Sequence, residues 1–421
     1  MKLAVVGAGW AGLACAVHAV RAGHDVTVFE AARTVGGRAR RVDAEGGLAL
    51  DNGQHILIGA YSATLAVMRD LGVQPEAALL RTPLQLRFAD GGGIALPRLP
   101  APLDLVAGIL VAQGWTWRDK TRLLRTALAW RAARFHCEPS RTVADLCADL
   151  TPRVTKELIE PLCVSALNTP VEQSSGQVFL RVLHDALFAE RGGADLLLPC
   201  IDLGRLLPDA AAEWLVKQGA QLRLGQRVQS IRPAAASGWQ VDGEHFDHVA
   251  LGGPPWESAR LVRGANIYAA AWVDAAEGLR YEAIATVYAQ GAQRALQAPM
   301  VALRNGPQSP AQFVFDRGLL GGPKGLLAFV VSASTAGREQ LQAEVLAQAG
   351  TQLGENKLRV VQTVVEKRAT FACTPGLARP PMHIAPGLLA CGDYVEGPYP
   401  ATLEGAIRSG CGAAFQLGVA G

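Results

Sequence analysis

Gly7, Gly9 and Gly12 stand in GxGxxG spacing directly after the apolar residues 3–6, and a second apolar run, residues 26–29, ends at Glu30. Glycines recur in any turn-rich chain, but strand, glycines, helix, second strand and terminal acid in this order are far more specific. The order predicts a βαβ start. Gly7 permits the tight strand-to-helix turn, Gly9 lets the backbone at Trp10 and Ala11 approach a pyrophosphate, and Gly12 lets helix and strand pack closely. The helix amino terminus would face the negative charge. Glu30, 18 residues beyond Gly12, is placed to accept both hydrogen bonds from an adenosine ribose. A bland alternative exists, because Lys2 followed by 18 residues without formal charge also looks like the start of a secretory signal. A signal has no use for the ordered glycines or for a second strand ending in an acid, so a dinucleotide site is expected.

A chain of 421 residues has room for two or three domains. Half of it is hydrophobic and 18% is charged, the balance of an ordinary folded protein. The net charge of +3 gives no footing for a nucleic-acid partner held by phosphate neutralisation. Eight cysteines, at 15, 137, 147, 163, 200, 373, 391 and 411, lie far apart without a CxxC pair, and predict buried thiols in a reducing compartment. His245 and His248 are close together, but no ligand set completes a site around them. A polar turn between strands is expected there, and no metal is assigned.

The same unit could hold NAD or FAD, and the residues after Glu30 decide between them. Arg33, the turn Gly36, Gly37, Arg38, and then Asp51, Asn52, Gly53, Gln54 and His55 come next in the chain. Taken alone, Arg33, Arg38, Arg40 and Arg41 would read as a solvated basic turn. Residues 388–410, LLACGDYVEGPYPATLEGAIRSG, and the alternating stretch 219–233 complete the pattern. Together these blocks resemble the amine oxidase and phytoene desaturase superfamily. The resemblance implies an α/β fold, a Rossmann-like FAD-binding domain with a second α+β substrate domain. The FAD domain would be discontinuous (1–60, 196–265 and 366–421), with 61–195 and 266–365 shaping the substrate pocket. It further implies that Arg38 lies along the pyrophosphate and ribityl chain, with Arg33 and Gly37 also at the cofactor, and that Gly53, Gln54 and His55 reach the flavin. Val228 would meet the adenine through its backbone, and Gly392 and Asp393 would hold the ribityl hydroxyls. Thr402 and Leu403 would start a helix aimed at the pyrimidine end, where its positive end stabilises the charge of a reduced flavin.

Four stretches, residues 51–61, 161–170, 366–381 and 399–410, resemble more narrowly the bacterial hydroxysqualene dehydroxylases, also described as squalene-associated FAD-dependent desaturases of the squalene and hopanoid route. That likeness implies an enzyme acting on a C30 isoprenoid, replacing the hydroxyl of hydroxysqualene with hydrogen. A squalene or carotenoid-precursor desaturase, running the hydride the other way, is the alternative, and an amine oxidase a more distant one, since Thr402 stands where amine oxidases carry a cage tyrosine. Hydroxide leaves only if protonated or strongly hydrogen-bonded, so an acid is needed. His55 is the first choice because imidazole titrates near neutrality, although it could equally serve only to hydrogen-bond a loop carbonyl; Asp51 and Tyr399 come next, with Glu404, Lys367 and Arg368 behind them. The electron donor is unknown, as no second GxGxxG follows a strand.

A lipid substrate must leave a membrane. Residues 115–141 carry seven Lys and Arg against two acids, after an uncharged run of 13 residues, 105–117, too short to span a bilayer. With Trp115, Trp117 and Trp130, and with Leu124 and Leu128 opposite Arg118, Arg122 and Arg125, residues 105–134 suit a helix lying on an anionic surface. A merely solvated amphipathic helix fits equally well. The expectation is a cytoplasmic protein with peripheral contact at the inner face of the membrane.

Overall fold

The computed structural model describes residues 1–44, 47–189, 191–334 and 336–419. Its first sheet has six strands. β1 (Lys2–Val6) and β2 (Asp25–Glu30) lie side by side and are joined by α1 (Trp10–Arg21). Gln221–Leu224 flanks β2, and His248–Leu251 followed by Leu388–Ala390 flanks β1, all parallel, with His383–Ala385 as an antiparallel edge. A parallel sheet is covered on both faces, which is why these strands are nearly uninterrupted apolar runs.

Alternation along the strands divides the two faces. Leu3, Val5, Val26 and Val28 enter one core with α1 and the helices Pro208–Lys217 and Leu403–Val419. Ala4, Phe29, Val249 and Leu251 enter the other, beneath a small antiparallel sheet of Ile231–Pro233, Trp239–Val241 and Glu244–Phe246. There Phe29 meets Phe246 edge-on, with ring centroids 5.9 Å apart. His245 and His248 flank the turn that leads back into the main sheet. The eight cysteines are free thiols, five of them buried.

The second sheet is antiparallel, in the order Met300–Ala302, Phe313–Asp316, Leu326–Ser332, Tyr281–Gln290, Arg359–Phe371. Ala285, Val287 and Ala289 pack under the helix Arg338–Leu353 through Leu341, Val345 and Ala349. The alternate residues face the first domain: the Tyr288 hydroxyl donates to the Asp51 carbonyl at 3.0 Å, and Thr286 Oγ1 accepts from the Gln54 amide at 3.4 Å. The expected domain break at 365/366 falls inside Arg359–Phe371, which is paired with Tyr281–Gln290 from end to end. A hydrogen-bonded ladder is not divided mid-strand, so the change of domain comes after Phe371. The α+β domain is completed by helices that include Leu103–Val111, Trp117–Ala132, Glu160–Leu167 and Gly176–His184. Among the described residues no helix is long and apolar enough to cross a membrane.

The last helix lies along α1 at a very short distance. A Cβ on Gly410 would stand 2.1 Å from the Ala11 carbonyl oxygen. Gly410→Val should therefore lower stability by more than about 4 kcal/mol, seen as a collapse of Tm. Gly264→Ala, at an open helical position, should leave Tm unchanged or raise it by up to about 1 kcal/mol equivalent.

Candidate functional site

The site is built on the turn from β1 into α1. Gly7 has φ +110, a region closed to ordinary side chains, and its N–H donates to the Phe29 carbonyl at 2.7 Å. A Cβ on Gly12 would lie 2.0 Å from the Gly7 carbonyl oxygen. Gly9 is different: the nearest protein atom to its Cβ would be the Gly252 carbonyl oxygen at 4.0 Å. The fold itself does not need a glycine there, whereas a ligand approaching the backbone would. Gly9 is also the N-cap of α1 and offers no side chain to the helix's first amides, so the positive end of α1 stands open beside it. Trp10 and Ala11 are buried, with Trp10 Nε1 donating to the Ala39 carbonyl at 2.8 Å.

Glu30 closes the turn from the end of β2. Its carboxylate accepts from the Ala8 amide at 2.7 Å and from the Ala32 amide at 2.8 Å, which fixes it beside the glycine loop. Gly37, φ +62, passes close to Gly9. Arg38 then reaches across the molecule, one nitrogen bonding the Ala369 carbonyl at 2.7 Å and another the buried carboxylate of Asp393. Beside this pair lies a residue the motifs did not single out. The Tyr281 hydroxyl is buried, next to Arg38 and Asp393, with no hydrogen-bond partner among the described residues. Burial raises its pKa, so it is a neutral donor without an acceptor. An open glycine cradle, an uncapped helix end, a fixed acid and an orphaned buried hydroxyl all fit a dinucleotide with a polyol chain. Val228 is buried near the expected adenine end, its carbonyl held by Arg260 at 2.9 Å. Arg33, three residues beyond Glu30, is exposed.

The loop after Asp51 crosses between the domains. Gly53 has φ +117, and His55 Nδ1 lies 2.9 Å from the Gly53 carbonyl, so Nδ1 carries the hydrogen and Nε2 is left as an acceptor. Burial lowers the His55 pKa, and nearby Arg38 lowers it further. A neutral imidazole whose one N–H is already engaged with a loop carbonyl fits a positioning role better than that of the acid. Asp51 is only 2% exposed; it accepts from the Leu203 amide at 2.8 Å, and its other oxygen stands 3.9 Å from Arg317. Burial raises its pKa to about 6. Arg317 in turn donates to Gln54 Oε1 at 3.2 Å.

At the other end, Thr402 Oγ1 caps the helix Leu403–Val419, accepting from the Gly405 amide at 2.9 Å. Tyr399 does not stand free: its hydroxyl donates to Asp185 at 2.8 Å, and burial pushes it up to about 12. Glu404 is fully buried and accepts from the Ala63 and Thr64 amides, capping the helix Ser62–Asp70, and from Arg408. Its role is structural, while Lys367 and Arg368 are exposed. Tyr394 is buried with its hydroxyl 3.3 Å from Ser258 Oγ. Near the hydroxyl of Tyr399, the segment Asp185–Ala189 carries Leu187 and Phe188 into a wholly apolar cavity of about 40 Å³. Leu105, Ile109, Leu123 and Trp130 form its opposite wall.

Residues 10–417 match the model of the flavin containing amine oxidoreductases, and the chain belongs to that family. It is an FAD-dependent oxidoreductase with the α/β fold of that family. A hydroxysqualene dehydroxylase of Rhodopseudomonas palustris is 28% identical over 99% of this chain and 98% of its own. A 15-cis-phytoene desaturase of Synechococcus elongatus is 31% identical, but over 29% of this chain and 27% of its own. The crystal structure of a protein described as a protoporphyrinogen oxidase from Exiguobacterium superposes with a TM-score of 0.72 at 18% identity, covering 100% of this chain and 99% of that one.

Gly9→Ala and Gly12→Ala separate cofactor binding from folding. The first should keep the Tm of the flavin-free chain within about 1 kcal/mol equivalent while the purified protein loses its yellow flavin absorbance. The second should fail to fold, because its Cβ would overlap a backbone oxygen.

Proposed function

We propose that the protein removes the hydroxyl of hydroxysqualene reductively, giving squalene. The observation that carries this reading is the likeness to a hydroxysqualene dehydroxylase over nearly the whole of both chains. The desaturase direction is the second reading, favoured by a likeness confined to about a third of the chain. The exchange adds a hydride and a proton to the substrate and releases water. Bound reduced FAD supplies the hydride at the allylic carbon.

The residues of the reading are Gly7, Gly9, Trp10, Ala11 and Gly12 at the pyrophosphate, Glu30 at the ribose, and Arg38, Asp393 and Tyr281 along the polyol chain. Gly53 and Gln54 would face the flavin, and Thr402 and Leu403 its pyrimidine end. The protonation of the candidate acids sets their roles. His55, neutral with Nε2 free to accept, orients the substrate hydroxyl. Of His55 and Asp51, the carboxyl is the one whose pKa burial raises toward neutrality, and we place the acid there. Tyr399 positions the segment Asp185–Ala189 against the cavity. Reducing equivalents come from a separate donor. Peripheral contact of residues 105–134 with the inner face of the membrane, in the cytoplasm, belongs to the same reading, since a C30 isoprenoid must leave a bilayer.

The test is anaerobic. The reduced yellow protein mixed with hydroxysqualene should regain its oxidised absorbance in step with squalene found by mass spectrometry; bleaching of the oxidised protein by squalene instead would assign the desaturase direction. Asp51→Asn should slow reoxidation roughly a hundredfold or more with flavin retained. Because the acid must start protonated, the wild-type rate should fall as pH rises through about 6, and the Asn variant should lose that dependence.

A further inference from the structure

The helices Leu103–Val111 and Trp117–Ala132 form a hairpin with two apolar faces, and only the inner one is covered by protein. Inward, Leu105, Ile109, Leu123, Ala127 and Trp130 line the apolar cavity. Outward, Leu103, Val106, Leu110 and Val111 are exposed, to 64% at Val111, and Trp117 at the head of the second helix is 71% exposed. Scattered exposed leucines need no explanation, but five large apolar side chains on one element do. Of the groups the sequence pattern set at the surface, Trp117 and Leu128 are exposed, whereas Leu124 packs inward and Trp115 is buried with its Nε1 donating to Glu157 at 2.7 Å.

Cations border the apolar stripe. Arg118, Arg125, Arg131 and Arg134 are exposed and make no ion pair among the described residues. The acids of the hairpin do not oppose them: Asp119 is buried, its oxygens taken by Thr116 and Thr151, and Asp104 bonds the Leu105 amide. Apolar side chains with unpaired arginines at their margin complement the acyl region and phosphates of an anionic bilayer.

The inner face adds an independent constraint. A cavity of about 40 Å³ holds a water or two, far less than a thirty-carbon chain, so a wall must move before such a chain can enter. The hairpin is the wall whose far side is already apolar and exposed, so moving it opens the cavity toward lipid. Gly108 lets the first helix lie tight on the strand Gly93–Ala95, where a Cβ would come 2.6 Å from the Leu96 side chain. Trp130 lines both the cavity and an outer groove of about 510 Å³ that carries Arg122, Arg125 and Arg141 together with Asp145 and Asp149.

We propose that the hairpin 103–132 docks on an anionic membrane and is the door through which a polyprenyl chain passes from the bilayer into the cavity beneath it. The identity of the cargo rests on the dehydroxylase reading; the docking does not. The holoprotein, without substrate, should co-sediment with vesicles of phosphatidylcholine and phosphatidylglycerol in equal parts and much less with phosphatidylcholine alone. Arg118→Gln with Arg125→Gln should weaken that binding by about fivefold per removed cation. Leu110→Asp with Val111→Asp, both at exposed positions, should abolish it with Tm unchanged. Turnover of hydroxysqualene presented in vesicles should fall tenfold or more in the aspartate variant, while turnover of detergent-solubilised substrate stays at the wild-type value. Wild-type protein that ignores anionic vesicles, or variants that bind like wild type, would overturn the docking. A self-association that only the wild type shows, without vesicle binding, would assign the face to a second copy and overturn it equally. Docking with equal loss of turnover in vesicles and detergent would overturn the door. No turnover by any form, with vesicle binding intact and lost as stated, would sink the dehydroxylase reading and leave the docking standing.

Discussion

The close approach of α1 to the sheet is the constraint on which the rest of the molecule depends. Gly12 sits against the Gly7 carbonyl, Gly252 against Gly12, and Gly410 against the Ala11 carbonyl, each at a distance where a Cβ would meet backbone within 3 Å. Those glycines come from three remote parts of the chain. Their packing brings the start of α1 down to the ends of β1 and the strand His248–Leu251, and that closeness leaves its amides open at Gly9 with no side chain to satisfy them. An anion site thus follows from backbone packing before any charged side chain is considered. The same packing explains why the last helix, far along the chain, is part of the first fold element's core.

Around that fixed point the site is assembled from long-range pairs. Arg38 and Asp393 are 355 positions apart, and Thr286 and Tyr288 of the second sheet hold the loop after Asp51. A carboxylate as buried as Asp393 needs a cation, and removing either partner would leave the other unsatisfied. The ion pair therefore ties the beginning of the chain to its end at the point where a cofactor's polyol would lie. Tyr281 enters the same place from the second sheet, so both domains contribute to one polar cluster.

Much of the fold was legible because its signals are local. The order of glycines and apolar runs defines β1, α1 and β2 without reference to the rest of the chain, and the apolar strand before Gly392 marks its counterpart. Carboxylates were less legible. Asp51, Asp393 and Glu404 look alike in sequence, yet one accepts from Leu203, one pairs with Arg38, and one caps the helix Ser62–Asp70. What a buried acid accepts from depends on which distant backbone arrives beside it, and spacing does not encode that. Tyr281 was missed for the same reason: on an alternating strand, it differs from its neighbours only in facing the Arg38 and Asp393 pair.

Burial itself sorts the acids. Desolvation penalises whichever form is charged, so the same dry surroundings push an imidazole down and a carboxyl up. His55 and Asp51 flank one short loop and move in opposite directions chiefly for that reason. In water the imidazole would be the better proton source near neutrality; in a site closed to water the imidazole is the better acceptor and the carboxyl gains acid character. An apolar substrate demands such a site, because the cavity that holds it must exclude water. On the proposed reading the choice of acid would follow from desolvation by the surrounding protein rather than from the intrinsic acidity of the side chains.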